Sequence, residues 1–320
     1  MSLAGEILLL LVFSTLSACV IFAVVFVARP IATTHWLRRS ALLRSGFRKT
    51  RVATTVGVQT VFHGGAGPVV VLLHGAGDQA GTWHRVAPSL KRRFQLVMPD
   101  LAGHGESDPS EGTLSLGTLL IALEQVLEDI PGPYIPLTLV GNSLGAWMAM
   151  LYAEKHPQRV TRVILIGGGP IRGAGELGLM PKNREEARRV LDATLDASTR
   201  RPPNFLLDDV VRLSKTGQIS RLLAAGDADI SKYLLDDKLA AFPLPVDLIW
   251  GASDRLVPLD YARKLQAQLP HATLTVLERC GHVPQIERPR HLFATLLPLL
   301  VAKSSPSGVP SVFPRTGGNS

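Results

Sequence analysis

The sequence predicts an α/β protein in which a mainly parallel β-sheet is flanked by helices, carries an inserted helical cap and is preceded by one transmembrane helix. Three observations predict this architecture. From residue 52 onward, short apolar runs alternate with helical patterns, which is typical of a parallel sheet. The alternation stops once, over residues 170–245, where a helix-rich stretch intervenes. A long apolar segment lies near the first residue of the chain.

That apolar segment, residues 7–28, contains 22 consecutive uncharged residues. As a helix rising ~1.5 Å per residue, it would cross a hydrocarbon core of ~30 Å. A buried core helix is disfavoured because arginines follow directly. A cleaved signal peptide is the second alternative, since residues 16–19 resemble a lipoprotein signal box. However, Glu6 and no basic residue precede the segment, and nine uncharged residues follow Cys19. We therefore expect residues 1–30 to be a single-pass anchor.

The net charge of +8 is concentrated behind this anchor. Residues 29–51 hold seven Lys or Arg and no acid, and the rest of the chain is nearly neutral. A clustered basic face and zinc-finger spacing are both absent from the sequence, which argues against nucleic acid as a partner and favours a membrane surface. The positive-inside rule favours a cytoplasmic position for this basic segment, 31–51, and for the following domain, and the opposite topology remains as an alternative because large domains can translocate regardless of charge. Within the basic segment, residues 35–48 fit either an amphipathic interfacial helix or an ordinary linker helix.

The soluble part divides into a core, residues 52–169 and 246–303, and a cap, residues 170–245. Residues 304–320 are rich in Ser, Pro and Gly and are expected to be disordered. The predicted strands are a hairpin over 52–62 and the runs 69–73, 94–98, 137–140, 160–166, 246–250 and 273–277. The predicted core helices are 83–90, 114–128, 144–156, 260–268 and 290–301.

A serine between glycines follows one of these strands. Gly141-Asn142-Ser143-Leu144-Gly145 ends a predicted strand and opens a predicted helix, which is the context of a nucleophile elbow. The glycines allow strand and helix to approach closely, so that the serine hydroxyl projects at the sheet edge. Ser143 is therefore the predicted nucleophile.

A serine hydroxyl needs a general base, and the base needs an orienting acid. Asp254 follows the predicted strand 246–250, and His282 follows the last strand. Each has a simpler explanation, as a helix cap or as a turn residue, but both occur at successive strand ends in the order Ser, Asp, His. Asp254 and His282 are the predicted acid and base.

The loop after the strand 69–73 reads His74-Gly75-Ala76-Gly77. A loop at this position supplies one backbone donor to an oxyanion, and the residue after the nucleophile supplies the other. We therefore expect the amides of Ala76 and Leu144 to form an oxyanion hole. The ring of His74 is expected to brace the loop and not to act as the base.

Together these motifs resemble the α/β-hydrolase family over roughly residues 52–302. Residues 103–107, Gly-His-Gly-Glu-Ser, match a further loop of its cap-bearing members, in which His104 and Glu106 are expected to be turn residues. Dehalogenases and epoxide hydrolases of this family use an aspartate nucleophile, so Ser143 argues against both activities. Members that hydrolyse carbon–carbon bonds usually have an aromatic residue after the catalytic histidine, whereas this chain has Val283.

The resemblance implies a serine hydrolase, and we expect a carboxylic ester with an apolar part as its small-molecule substrate. Carbon–carbon bond hydrolysis and non-catalytic ligand binding remain as alternatives. Trp83 is predicted to contact the substrate, and Met148 and residues 205–207 suggest an apolar pocket. We expect no metal and no organic cofactor, because the nine histidines have no paired ligand spacing and the chain lacks a phosphate loop. Two cysteines are too few for a disulfide framework.

Overall fold

A computed structural model of the protein describes residues 3–173 and 178–302. The segment predicted to be disordered, residues 304–320, lies outside the described residues. So do residues 174–177 of the predicted cap.

The N-terminal apolar segment forms one long helix, α1 (Leu3–Ala28), which starts a few residues earlier than predicted. Its apolar side chains Leu10, Phe13 and Val24 are largely exposed. Among the described residues, α1 is the helix long and apolar enough to cross a membrane. This agrees with an anchor and equally with a signal sequence.

The basic segment is part of the folded domain and is not a separate linker. It contains α2 (Pro30–Arg44) and the start of the first strand. Leu42 and Phe47, which the interfacial-helix alternative would place in the membrane surface, are buried in the core. Trp36 and Leu37 of the same stretch remain exposed. The core therefore begins near residue 30 rather than at residue 52.

Eight strands form one sheet in the order β1-β2-β4-β3-β5-β6-β7-β8. The first two pairings, β1 with β2 and β2 with β4, are antiparallel, and the remaining pairs are parallel. The predicted mainly parallel α/β fold is confirmed. The strands are β1 (Arg48–Thr54), β2 (Gly57–Gly64), β3 (Val69–Leu73), β4 (Gln95–Pro99), β5 (Leu137–Asn142), β6 (Val160–Ile166), β7 (Val246–Gly251) and β8 (Thr273–Leu277).

Helices cover both faces of the sheet because its central strands are apolar on both sides. Along β3, Val69, Val71 and Leu73 face one apolar cluster, and the alternate residues Val70 and Leu72 face the other. The further helices are α3 (Ala87–Leu90), α4 (Leu116–Asp129), α5 (Leu144–Lys155), α6 (Arg184–Thr194), α7 (Asn204–Thr216), α8 (Gln218–Leu223), α9 (Asp227–Lys232), α10 (Leu259–Gln268), α11 (Pro284–Glu287) and α12 (Pro289–Val301).

The predicted helix 83–90 is divided into two parts, a 3₁₀ helix (Ala80–Arg85) and the short α3. Pro88 lies in the first turn of α3 and has no N–H to donate to the preceding turn. This interrupts the hydrogen-bond ladder that one continuous helix would need.

The cap is helical, as predicted, and contains α6 to α9. Arg221 on α8 joins it to the core, donating hydrogen bonds to the carbonyl oxygens of Gly103, Pro109, Glu111 and Gly112. Trp147 on α5 also donates its indole N–H to the carbonyl of Tyr233, at 2.8 Å. These bonds hold the cap over the carboxyl ends of the parallel strands.

Candidate active site

The turn between β5 and α5 places Ser143 in a strained conformation. Its backbone has φ 55° and ψ −117°, in a region that non-glycine residues seldom adopt. The strain is held by close packing: a Cβ added to Gly145 would lie 2.4 Å from the carbonyl oxygen of Leu73. The chain is thus forced to turn sharply and to present Ser143 at the sheet edge, as the sequence predicted.

Asp254 and His282 form a buried pair beside this turn. His282 Nδ1 lies 2.8 Å from Asp254 Oδ2, and both residues are about 4% exposed. The other carboxylate oxygen of Asp254 accepts hydrogen bonds from the amides of Leu256 and Val257. The carboxylate is therefore fixed, and it selects the His282 tautomer with its proton on Nδ1, which leaves Nε2 free to accept a proton.

Ser143 and His282 line the same cavity. Within the described chain, no hydrogen bond joins the Ser143 hydroxyl to the His282 ring. Such bonds are often long in ligand-free active sites and tighten when substrate is bound.

A buried amide network, which the sequence did not reveal, ties the histidine loop to the nucleophile turn. Asn142 Nδ2 donates to the carbonyl oxygens of Ile166 and His282, at 3.1 and 3.0 Å. Gln285 Nε2 donates to Asn142 Oδ1 at 2.9 Å. Asn142 lies between the glycine and the serine of the Gly-x-Ser motif, and this position was the one feature of the sequence that could have pointed to the network. The network fixes the backbone of the proposed base relative to the proposed nucleophile.

Residues at the end of the first cap helix secure the same loop from the other side. The amide of His282 donates to the carbonyl of Thr194 at 2.7 Å. Glu287 accepts hydrogen bonds from the amides of Gly281 and Asp196 through its two carboxylate oxygens, at 2.9 and 2.8 Å. The histidine loop is therefore clamped between the core and the cap.

The two residues whose amides are predicted to be oxyanion donors lie beside the proposed nucleophile. Ala76 and Leu144 both line a cavity with Ser143. In the part of the chain that the structure describes, neither amide donates to a protein acceptor, so both are available to a ligand. His74 braces the loop, as expected: its Nε2 accepts from the amide of Leu101 at 2.9 Å, and its Nδ1 donates to the carbonyl of Gly75 at 2.8 Å.

Two apolar cavities meet at Ser143. One, of about 220 Å³, extends beneath the cap and is lined by Trp147, Ile219 and Leu222 among others. The second, of about 260 Å³, extends past His282 toward α2 and α7. Both are lined by a shared set of residues: Ala76, Ser143, Leu179, Ile219 and Leu256. The site thus offers apolar space on both sides of the serine.

Trp83 does not lie at this site, which corrects its prediction as a substrate contact. Its side chain is fully buried in the apolar cluster on one face of the sheet and lines neither cavity at Ser143. Met148 is likewise a core residue, and Phe205 lies against Phe26 of α1. The same apolar residue types line cores and ligand pockets, so the sequence alone could not show which of the two environments Trp83 and Met148 occupy.

His104 and Glu106 are turn residues, as expected. His104 is buried, with Nδ1 donating to the carbonyl of Ala102, and burial lowers its pKa to about 3. The amide of Glu106 donates to Asp100, whose own carboxyl pKa is raised by burial. Asp100 also accepts from the amide of Ala80 at 2.7 Å. These residues shape a loop beside the site without lining either cavity at Ser143.

Among the described residues, no group of three or more His, Cys, Asp and Glu side chains is arranged to hold a metal ion. The expectation that the protein needs no cofactor stays a prediction. Cys280 is buried near the histidine loop, and burial raises the pKa of its thiol to about 12.

Comparison with known proteins agrees with this architecture. Residues 68–289 match the family described as alpha/beta hydrolase fold. A 2-hydroxy-6-oxo-6-phenylhexa-2,4-dienoate hydrolase from Burkholderia cepacia is 29% identical over 242 residues, which cover 70% of this chain and 84% of that protein.

Two solved structures are also similar. A membrane phospholipase A is 25% identical with a TM-score of 0.70, and the alignment covers 94% of this chain and 100% of that one. A naproxen esterase from Bacillus subtilis is 19% identical with a TM-score of 0.68, covering 83% of this chain and 96% of that one, and it shows the fold alone. Because the family match covers well over half of the sequence, this chain belongs to the α/β-hydrolase fold family.

Proposed function

We propose that this hydrolase cleaves carboxylic esters through an acyl-enzyme intermediate, with Ser143 as nucleophile, His282 as base and Asp254 as orienting acid. One observation carries the proposal: a strained serine, Ser143, and the histidine of a buried His–Asp pair, His282, line one apolar cavity. An apolar acyl or alcohol group suits this lining.

The geometry supports a simple sequence of bond changes. Ser143 Oγ forms a bond to the ester carbonyl carbon while its proton moves to His282 Nε2, and Asp254 stabilises the resulting imidazolium. The amides of Ala76 and Leu144 donate to the oxyanion. The carbon–oxygen bond to the alcohol then breaks, and the alcohol takes the proton from Nε2. Water attacks the acyl-enzyme by the same route, which releases the acid and restores Ser143.

Carbon–carbon bond hydrolysis is the second candidate, because relatives such as the dienoate hydrolase above share 29% identity. That substrate, by its name, carries a carboxylate. No Lys or Arg of the described chain lines either cavity at Ser143, and the charged lining residues are Asp78 and Asp229. An unpaired carboxylate buried beside two acids is strongly disfavoured. The lining of these two cavities therefore favours an ester with apolar groups beside the scissile bond over a dienoate with a free carboxylate. A non-catalytic binding role is disfavoured by the strained serine and the oriented His–Asp pair.

We further propose that α1 is retained as a single-pass membrane anchor. The apolar side chains of α1 are exposed, which is unfavourable in water and favourable in a bilayer. The similarity to the membrane phospholipase A extends over 94% of this chain. The arginines that follow α1 favour a cytoplasmic position for the hydrolase domain. Protease digestion of sealed, oppositely oriented vesicles tests this topology.

The first experiment measures p-nitrophenol release from esters of graded acyl length in detergent. The wild type is compared with Ser143→Ala and with Ser110→Ala, at an exposed serine that lines neither cavity at Ser143. We expect Ser143→Ala to lower kcat by roughly 10³-fold or more, because removal of the nucleophile disables the triad as a unit. Ser110→Ala should match the wild type. Equal activity of Ser143→Ala and the wild type would refute the proposal, and turnover of a dienoate but of no ester would favour the second candidate.

A further inference from the structure

We propose that the substrate is an acyl lipid of the bilayer that holds α1, and that it reaches Ser143 laterally, through the cavity between the start of α2 and α7. This inference rests on the proposed ester hydrolysis and on the proposed anchor. It adds a substrate class and a path to the site.

The first observation is the direction of the cavity. The 260 Å³ cavity begins at Ser143 and His282 and has Ile31 on its wall. Ile31 is partly exposed and lies three residues after the last residue of α1, Ala28. The wall of this cavity also includes the apolar side chains of Val210 and Leu213 on α7. An apolar passage therefore connects the proposed nucleophile with the point where the chain would leave the membrane.

The second observation is that the cap is attached to the anchor at the same point. The ring of Phe205, on α7, packs edge to face against Phe26 of α1, with 5.8 Å between centroids. Asp209, also on α7, is buried and accepts a hydrogen bond from the amide of Ile31 at 3.0 Å. A carboxylate at the first turn of α2 is favoured by the helix dipole. Helix α7, which forms one side of the passage, is thus held next to the point where the chain would leave the membrane.

The third observation is a polar cavity of about 210 Å³ beside the apolar one. The two cavities share part of their walls, including Ile31, Asp78 and Leu213. The polar cavity adds Arg39 and Arg212, which are paired with Glu106 and Asp209 respectively. An apolar space joined to a polar one matches a molecule with an acyl chain beside a polar head. Because the cations are matched by acids, a zwitterionic headgroup fits this cavity better than an anionic one.

The geometry also explains why an anchor would help. A lipid that moves sideways from the bilayer into an apolar passage keeps its acyl chain out of water throughout the transfer, whereas extraction into water would expose every methylene group of the chain at a cost in free energy. The position of Ile31 close to the membrane exit makes this sideways path short.

The test uses the full-length protein reconstituted in dioleoylphosphatidylcholine vesicles. Fatty acid release from the vesicle lipid and hydrolysis of soluble p-nitrophenyl acetate are measured on the same preparation. Ile31→Trp narrows the passage, Ile31→Ala widens it, and Leu43→Trp adds the same bulk to an exposed position of α2 that lines no described cavity at the site. The wild type should release fatty acid. Ile31→Trp should lower lipid hydrolysis about tenfold more than it lowers ester hydrolysis, which corresponds to a barrier specific to the lipid.

Ile31→Ala should keep at least the wild-type rate on lipid, and Leu43→Trp should match the wild type on both substrates. Hydrolysis of p-nitrophenyl acetate without any fatty acid release would overturn this inference and leave the proposed function standing. The path through Ile31 would be overturned if Ile31→Trp lost the same fraction of its activity on lipid and on p-nitrophenyl acetate. It would also be overturned if Ile31→Ala lost as much lipid hydrolysis as Ile31→Trp does. Failure on every ester would instead refute the proposed function itself.

Discussion

Gly168, just after β6, is the position where one added methyl group should most directly disturb the proposed nucleophile. A Cβ at this residue would lie 2.7 Å from both the Cα and the carbonyl oxygen of Ser143. These are backbone atoms of a strained turn that is already held by neighbouring strands, so they cannot rotate away. Overpacking of this kind typically costs about 1–3 kcal/mol of stability. A displacement of the nucleophile by ~1 Å lowers the rate by about 100-fold.

Gly168→Ala is therefore expected to lower kcat on a p-nitrophenyl ester by about 100-fold while the protein remains folded. Gly178→Ala is the matched control, because no atom lies within 4 Å of a Cβ added there. Ester kinetics and thermal unfolding are measured on both variants. A Gly168→Ala variant with the wild-type kcat would refute the packing argument, as would an equal loss of activity in Gly178→Ala.

Two further predictions concern stability. Burial lowers the pKa of His104 to about 3, against 6.5 for an unperturbed histidine, so the unfolded chain takes up this proton first as the pH falls. Between pH 6.5 and 3 this residue should reduce the unfolding free energy by up to ~1.4 kcal/mol per pH unit. In urea unfolding experiments, the unfolding free energy of His104→Gln should fall less steeply with decreasing pH than that of the wild type, whereas His271→Gln, at an exposed position, should behave as the wild type does. An unchanged pH dependence in His104→Gln would contradict the attribution to His104. Arg221 carries several bonds between cap and core, so Arg221→Ala should lower the unfolding free energy by about 1–3 kcal/mol, and Arg221→Lys should recover little of it. Full recovery by lysine would show that charge alone holds the cap.

Local sequence patterns were sufficient to predict the sheet and to place Ser143, Asp254 and His282 after the carboxyl ends of its strands. The Gly-x-Ser-x-Gly turn lies between an apolar strand and a helix, and Asp254 and His282 each follow a strand. Because the carboxyl ends of parallel strands meet at one edge of the sheet, position in the chain was enough to bring these residues together. The roles of His74 and His104 also followed from their loops.

The sequence was less informative wherever apolar residues had to be assigned to a particular surface. Trp83 was predicted to contact the substrate but is buried in the core, and Leu42 and Phe47 belong to the core and not to a membrane surface. Hydrophobic periodicity shows which face of an element avoids water, but it does not show what covers that face.

By itself, then, the sequence determined the α/β class, the apolar N-terminal helix and the order of Ser143, Asp254 and His282. Each of these depends on short-range patterns of residue type and spacing. The tertiary structure alone decided that two apolar cavities meet at Ser143, that Asn142 and Gln285 secure the histidine loop, and that α7 joins the cap to α1 and α2. These features arise from contacts between residues more than a hundred positions apart, such as Ile31 with Asp209, and such contacts leave no periodic trace in the chain.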